Sequence, residues 1–247
     1  PPESEEMWHP KPVEELYDLQ NDPFELNNLM DNPKYLEKME ELKNAMHQWV
    51  ADTRDAGFLF EPEMMIRGTS STVYEMAQDT TQYDLEAIHS AAEMVGVANL
   101  GEIMLKLKNN DSGVRFWAVM ALQEMGNEAR SAIDELKQLL RDDSPSVAIL
   151  AAETLCKLNE CTRESLDVLN MYLQDERPWL ALQAARSAEL IKDRAKPQVP
   201  VLYDVLDKNK ALPGSERNYK DGNFAAFTRW SVKWALHHCG EKVDITK

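Results

Sequence analysis

A recurrence of about 33 residues constrains this chain more than any other feature. "DSGVRFWAVMALQEMG" begins at Asp111, "DSPSVAILAAETLCKLN" at Asp143 and "DERPWLALQAARSAELI" at Asp175. Aligning Val114, Val147 and Leu180 gives spacings of 33 and 33. Small and apolar residues then fall into columns: Ala118, Ala151 and Ala184 in one, Val119, Ala152 and Ala185 in the next. An earlier copy, "YDLEAIHSAAEMVG", aligns Tyr83 with Val114 at a spacing of 31, and a later one, "FAAFTRWSVKWALHHCG", aligns Thr228 with Leu180 at 48. The excess of 15 in that last interval matches an insertion, "NKALPGSERNYKDG", at residues 209–222. A period in this range marks a stack of supersecondary units, none of which buries its apolar faces alone.

Each copy reads as two helices. The first carries small residues that let a neighbour approach. The second carries a wider apolar stripe, as in "LGEIMLKLKNN", "ARSAIDELKQLL", "TRESLDVLNMYL" and "PQVPVLYDVLDKN". The first helices resemble HEAT repeats, whose pattern is D-x-x-V-R-x-x-A-A-x-A-L. Asp111, Val114, Arg115, Ala118, Ala121 and Leu122 fit it, and Arg229, Ala235 and Leu236 fit it in the last copy. Ala148 and Ala181 stand where the pattern has Arg, so the Asp–Arg ladder between neighbouring units is expected to fail in the middle copies. The predicted fold is therefore mostly α, a solenoid of about five HEAT-like hairpins over 83–247, with an irregular helical bundle as the alternative. The last copy has a first helix, about 223–239, and then only "EKVDITK" after Gly240. Trp230, Val232, Trp234 and Leu236 are expected to be covered by the preceding repeat and the insertion.

Composition agrees with a folded helical chain. Apolar residues make up 43% of 247, enough for a core, and only 9 are glycine. No apolar run reaches eighteen residues, so no membrane span is expected. No basic segment leads into an apolar one as a signal peptide requires, and the chain begins with Pro, as a processed or trimmed chain does. The net charge is −16, of which residues 1–80 carry −12 from 18 acids and 6 bases. A polyanion such as nucleic acid is a poor partner for such a surface, and none is expected. Cys156, Cys161 and Cys239 make an odd set with no metal-ligand spacing, and no disulfide framework is expected.

Ahead of the repeats stands "ELYDLQNDPFELNNL", preceded by fourteen residues that include Pro1, Pro2, Pro10 and Pro12. Its alternating apolar residues predict a strand over about 14–20, and Asn21-Asp22-Pro23 a tight turn. Tyr35, Leu36, Met39, Leu42, Met46 and Trp49 follow at helical spacings, with Asp31 or Asn32 placed to cap and Pro33 in the first turn. The helix is predicted over about 33–54, ended by Gly57. This string, with "NPKYLEKMEELKNAMHQWV", resembles the C-terminal end of the alkaline-phosphatase-type sulfatases. The resemblance implies that residues 1–12 end a hairpin, that a catalytic domain lies upstream, and that the protein is periplasmic or extracellular. The expected organisation is 1–57 as the strand-turn-helix end of a sulfatase-type α+β subdomain, 58–82 as a packed linker, and 83–247 as the repeat domain.

The chemistry of such a sulfatase needs a Cys or Ser within C/S-x-P-x-R, converted to formylglycine, and a calcium-binding Asp pair. This chain has no such motif. Asp142-Asp143 caps a helix more simply than it holds calcium, which wants six or more converging oxygens. His9, His47, His89, His237 and His238 are scattered, and no nucleophile stands beside a base. Accordingly no catalytic, cofactor-binding or metal residue is assigned. Calcium and formylglycine are expected only in the upstream domain. Trp117, Trp179, Trp230 and Trp234 lie on first helices; core packing is their expected role, with a sugar-binding platform as the alternative. Trp8 and His9 read as a hairpin tip. Lys208, Lys210, Arg217 and Lys220 give the insertion a positive cast suited to an anionic glycan, or to solvent alone. Two readings follow. Either the chain is the non-catalytic C-terminal part of a sulfatase, its partners the catalytic domain and a protein or anionic glycan at the solenoid, or it is an independent HEAT-repeat scaffold.

Overall fold

The computed structural model describes residues 12, 14–96, 99–210 and 219–245, with side chains from 223 in the last stretch. It divides into two compact units, Pro1–Asp55 and Ala56–Lys247. The hairpin end expected over 1–12, with Trp8 and His9, lies outside the described residues except for Pro12. So does the insertion from residue 211 through 218, and the side chains as far as 222.

In the first unit the expected strand is absent; no strand occurs among the described residues. The backbone polar groups near Leu16 are met by a side chain instead. The Leu16 amide donates to Asn28 Oδ1 at 3.0 Å, and Asn28 Nδ2 donates to the Glu14 carbonyl at 3.1 Å. With those groups taken, and a single backbone bond from the Leu29 amide to the Leu16 carbonyl, no ladder forms. The Asn-Asp-Pro turn is present: the Asn21 and Asp22 amides both donate to the Asp18 carbonyl, and Asp22 accepts from the Asn27 amide. A 3₁₀ turn, Pro33–Tyr35, is capped by the Asn32 side chain, and α1 follows over Leu36–Thr53. The helix ends not at Gly57 but at Arg54, whose positive φ of 48° turns the Asp55 amide back to the Val50 carbonyl. Only Val50 of α1 is buried; Leu42, Met46 and Trp49, at helical spacing, are exposed.

The second unit opens with a strap made of 3₁₀ turns at Ala56–Phe58 and Gly68–Ser70 around α2, Glu61–Arg67, and then α3, Val73–Gln78. Thr72 and Glu75 close a reciprocal capping box on α3. Helical pairs follow: α4 and α5 (Leu85–Ala92, Leu100–Lys106), α6 and α7 (Ser112–Met125, Ile133–Leu139), α8 and α9 (Pro145–Lys157, Arg163–Leu173), α10 and α11 (Pro178–Leu190, Val199–Lys208). A single helix, α12, Tyr219–His238, ends the series. First helices stack in order, α4 on α6, α6 on α8, α8 on α10 and α10 on α12. Gly113 permits the first of these approaches, since a Cβ there would meet Ile88 Cδ1 at 3.0 Å.

The repeat is also written in the backbone. Gly126, Asn159, Lys192 and Gly240 all have positive φ, of 56°, 64°, 58° and 92°. Their spacings are 33, 33 and 48, the same intervals as the side-chain columns. Each follows a first helix and turns the chain towards what comes next. At Asn159 the Glu160 amide returns to the Leu155 carbonyl, which brings Cys161 back against the end of α8. Cys156 and Cys161 are joined there in a disulfide, where the sequence implied no disulfide framework. A five-residue spacing closes only because of that left-handed turn.

The core runs through the stack. Ala118, Ala151 and Ala184 are fully buried where consecutive first helices meet, and Leu122, Leu155, Ala188 and Leu236 form a second buried column. The strap lies on the first-helix face. Phe60 stacks on Phe116 with ring centroids 4.8 Å apart, and the Trp117 indole N–H donates to the Phe58 carbonyl at 2.7 Å. The stretch expected to be a packed linker is thus part of the repeat unit.

Candidate functional site

Two features of the first-helix face stand out, a polar latch and an aromatic groove. The latch is built on Glu63, which α2 buries almost completely. Its carboxylate accepts from Ser112 Oγ at 2.6 Å and from Ser144 Oγ at 2.5 Å, the first residue of α6 and the N-cap of α8. Arg67, one turn on, pairs with Glu63 and grips Asp111 with two bonds of 2.7 and 3.0 Å. Arg67 also donates to Ser112 Oγ and to the Gln82 carbonyl, both at 2.8 Å.

The next rung is internal. Asn109, Asp142 and Asp175 stand 33 residues apart, and each side chain accepts from the amide two residues on, all at 2.8 Å. Arg115 reaches forward to Asp142 at 2.8 and 2.6 Å and to Asp143 at 2.5 Å. Burial pushes the Asp142 carboxyl up, while Arg115 and the Ser144 amide pull it down. The exposed Asp143 is held low by its hydrogen bond with Asp142 and, less strongly, by Arg115. Ala148 cannot supply the next rung, and Asp175 is taken by its own neighbour Arg177 at 2.9 and 2.8 Å. The ladder therefore stops where the missing arginines said it would. Asp142 and Asp143 do not fit a calcium ion, because a guanidinium already fills the space between them.

Beyond the strap the described residues leave the same face exposed. Between α10 and α12 lies a groove of about 470 Å³, bounded by Phe60, Glu61 and Pro62 of the strap and lined by Trp179, Gln183, Arg186, Phe227, Trp230 and Trp234 among others. Phe227, Trp230 and Trp234 follow at i, i+3 and i+7 on one face of α12 and are 49%, 48% and 40% exposed. Phe227 meets Trp230 edge to face at 5.4 Å, and Trp234 has His237 edge-on at 5.7 Å. The floor holds Gln183 and Ser231, which occupy the same place in consecutive repeats, and the wall carries an Arg186–Glu189 ion pair. Trp179 Nε1 and Gln183 Oε1 are buried with no hydrogen-bond partner.

The expectation that the tryptophans pack in the core is half right. Trp117 and Trp179 are partly buried against it. Trp230 and Trp234 are not, although Val232 and Leu236 between them are fully buried. Sequence columns locate an aromatic on α12 but not the direction it faces. The helical offset from Val232 and Leu236 was the available signal. Lys210 pairs with Asp207, and Arg217 and Lys220 lie outside the described side chains.

HEAT repeats match residues 133–212 as a family. Two ulvan-active sulfatases of Formosa agariphila are similar to short stretches of the chain. One is 44% identical over 55 residues, 22% of this chain and 9% of the relative; the other is 55% identical over 40 residues, 16% and 8%. The chain thus spans about a tenth of the length of the curated relatives it matches. No solved structure matches it.

Proposed function

We propose that this chain is the non-catalytic C-terminal part of a sulfatase, in which the helical repeats serve a structural or interaction role. The observation that carries the reading is the exposed apolar stripe of α1, Leu42, Met46 and Trp49. It directly follows the segment that resembles a sulfatase C-terminus, as a helix does that is made to pack against a larger domain. The short matches to ulvan-active sulfatases support it. In this reading calcium and formylglycine belong to the catalytic domain. Cys156 and Cys161 are paired with each other, and Cys239 lies buried outside the nucleophile motif. The disulfide supports an oxidising compartment, the periplasm or the exterior. The test is the whole gene product. A C/S-x-P-x-R segment upstream, with sulfate released from an aryl sulfate, is expected. A gene product that starts just ahead of Pro1 and releases no sulfate overturns the reading.

A second reading, an independent scaffold, is favoured by the match to HEAT repeats. It predicts that same negative result.

A further inference from the structure

We propose that the groove between α10 and α12 binds a saccharide chain, lying along the exposed aromatic surface of Phe227, Trp230 and Trp234. This rests on the reading above only for where such a chain would come from.

The first argument is the ring stripe. Three aromatic residues on successive turns leave about half their surface bare, although apolar residues beside them are fully buried. Bare indoles in a concave site are amphipathic platforms, apolar on the face and donating at one edge. From Phe227 to Trp234 the helix rises about 10 Å, an elongated track matched to consecutive rings.

The second argument is the polar inventory. Gln183 is 8% exposed and anchored through Nε2 to the Ser146 carbonyl at 3.0 Å, which leaves Oε1 without a donor. One turn before it, Trp179 Nε1 has no acceptor. A hydroxyl both donates and accepts, so a ligand dense in hydroxyls meets both needs after a small shift of either side chain. The Arg186–Glu189 pair adds charged donors and acceptors at the wall.

The third argument comes from how the same face holds a peptide. At the strap, Phe60 covers Phe116, the position equivalent to Trp230. What fixes that peptide is Glu63 on Ser112 and Ser144. In the third repeat Arg177 and Pro178 stand where Ser144 and Pro145 stand, and Arg177 is turned to Asp175. The hydroxyl anchors end, and ring faces with amide and hydroxyl groups remain. The groove keeps the platform of the strap site without the means of seating a strap.

The experiment is affinity electrophoresis of the 247-residue chain through gels carrying carrageenan, desulfated carrageenan, alginate, laminarin or xylan. Tryptophan fluorescence is then titrated with oligosaccharides of whichever retards it. Retardation by at least one is expected, with Trp230→Ala and Trp234→Ala each about tenfold weaker and the double variant unretarded. Circular dichroism should be unchanged in all three, and Tyr74→Ala, on α3, should bind as the parent does. Carrageenan against its desulfated form tells whether sulfate contributes. The proposal is overturned if no polysaccharide retards the chain, if the double variant binds as well as the parent, or if a synthetic peptide of residues 56–67 occupies the groove while no sugar does. Loss of sugar binding with sulfate release intact in the whole gene product would sink the groove alone. Sugar binding without any sulfatase segment upstream would sink the parent reading alone.

Discussion

Arg115 on one repeat holds Asp142 at the start of the next through two bonds, Nε to Oδ2 at 2.8 Å and Nη2 to Oδ1 at 2.6 Å. Both side chains are more than nine-tenths buried, and Arg115 also donates to the carbonyls of Asn109 and Asn110. One guanidinium thus ties the turn before its own helix to the turn before the next. Removing it strands a buried carboxylate. Arg115→Ala should cost roughly 3 kcal/mol in urea unfolding, whereas Arg177→Ala, whose guanidinium is about half exposed, should cost less than about 1 kcal/mol. Equal costs would show that the ladder rung carries no special weight.

The strap depends on Glu63. Glu63→Ala leaves the hydroxyls of Ser112 and Ser144 without their acceptor, while Arg67 keeps Asp111, the Ser112 hydroxyl and the Gln82 carbonyl. We expect a loss of about 1–3 kcal/mol. Amide exchange over residues 57–67 should rise well before that of α8. Unchanged protection of the strap would mean that Phe58, Leu59 and Phe60 hold it without the latch.

Ala151 sits fully buried between a first helix on either side. Ala151→Leu should overpack both crossings and cost roughly 1–3 kcal/mol, against little change for Gln138→Leu on the exposed side of α7. A neutral Ala151→Leu would put the column out of register.

Lys192 adopts a left-handed conformation with φ 58° where the equivalent residues are Gly126, Asn159 and Gly240. A side chain in that region is strained. Lys192→Gly should therefore raise stability by about 0.5 kcal/mol or more, since the relief exceeds the extra freedom of glycine in the unfolded chain. A fall in the unfolding midpoint would contradict it.

Asp79 closes the turn after α3, accepting from Gln82 Nε2, Thr81 Oγ1 and the Thr81 amide. These bonds, led by Gln82, lower its pKa from 3.8 to about 2. The folded value lies below the unfolded one, so the contribution is complete above pH about 4 and is lost as pH falls through about 2. Carboxyl-carbon NMR should show Asp79 titrating near that value, moving towards 3.8 in Gln82→Ala. A midpoint that stays put would remove Gln82 as the cause.

The repeats were legible in the sequence because stacking imposes one set of constraints again and again. Small residues recur at Ala118, Ala151 and Ala184 since a close crossing tolerates nothing larger. The gaps at Ala148 and Ala181 announced the interrupted ladder, since alanine has no donor to reach the next turn as Arg115 does. Local propensity misled over residues 14–20. Alternation describes what a strand looks like, but a strand needs a partner backbone, and here the Asn28 side chain takes those bonds. The disulfide was hidden for a related reason: the spacing of Cys156 and Cys161 says nothing until the left-handed turn at Asn159 is known. The groove was decided by the tertiary structure alone. Trp117 and Trp230 are both tryptophans on first helices, and composition cannot tell them apart. One donates to the strap and the other is half exposed, because among the described residues the strap crosses only one part of the face. Periodicity fixes which residues share a position, and only packing fixes which of those positions is covered.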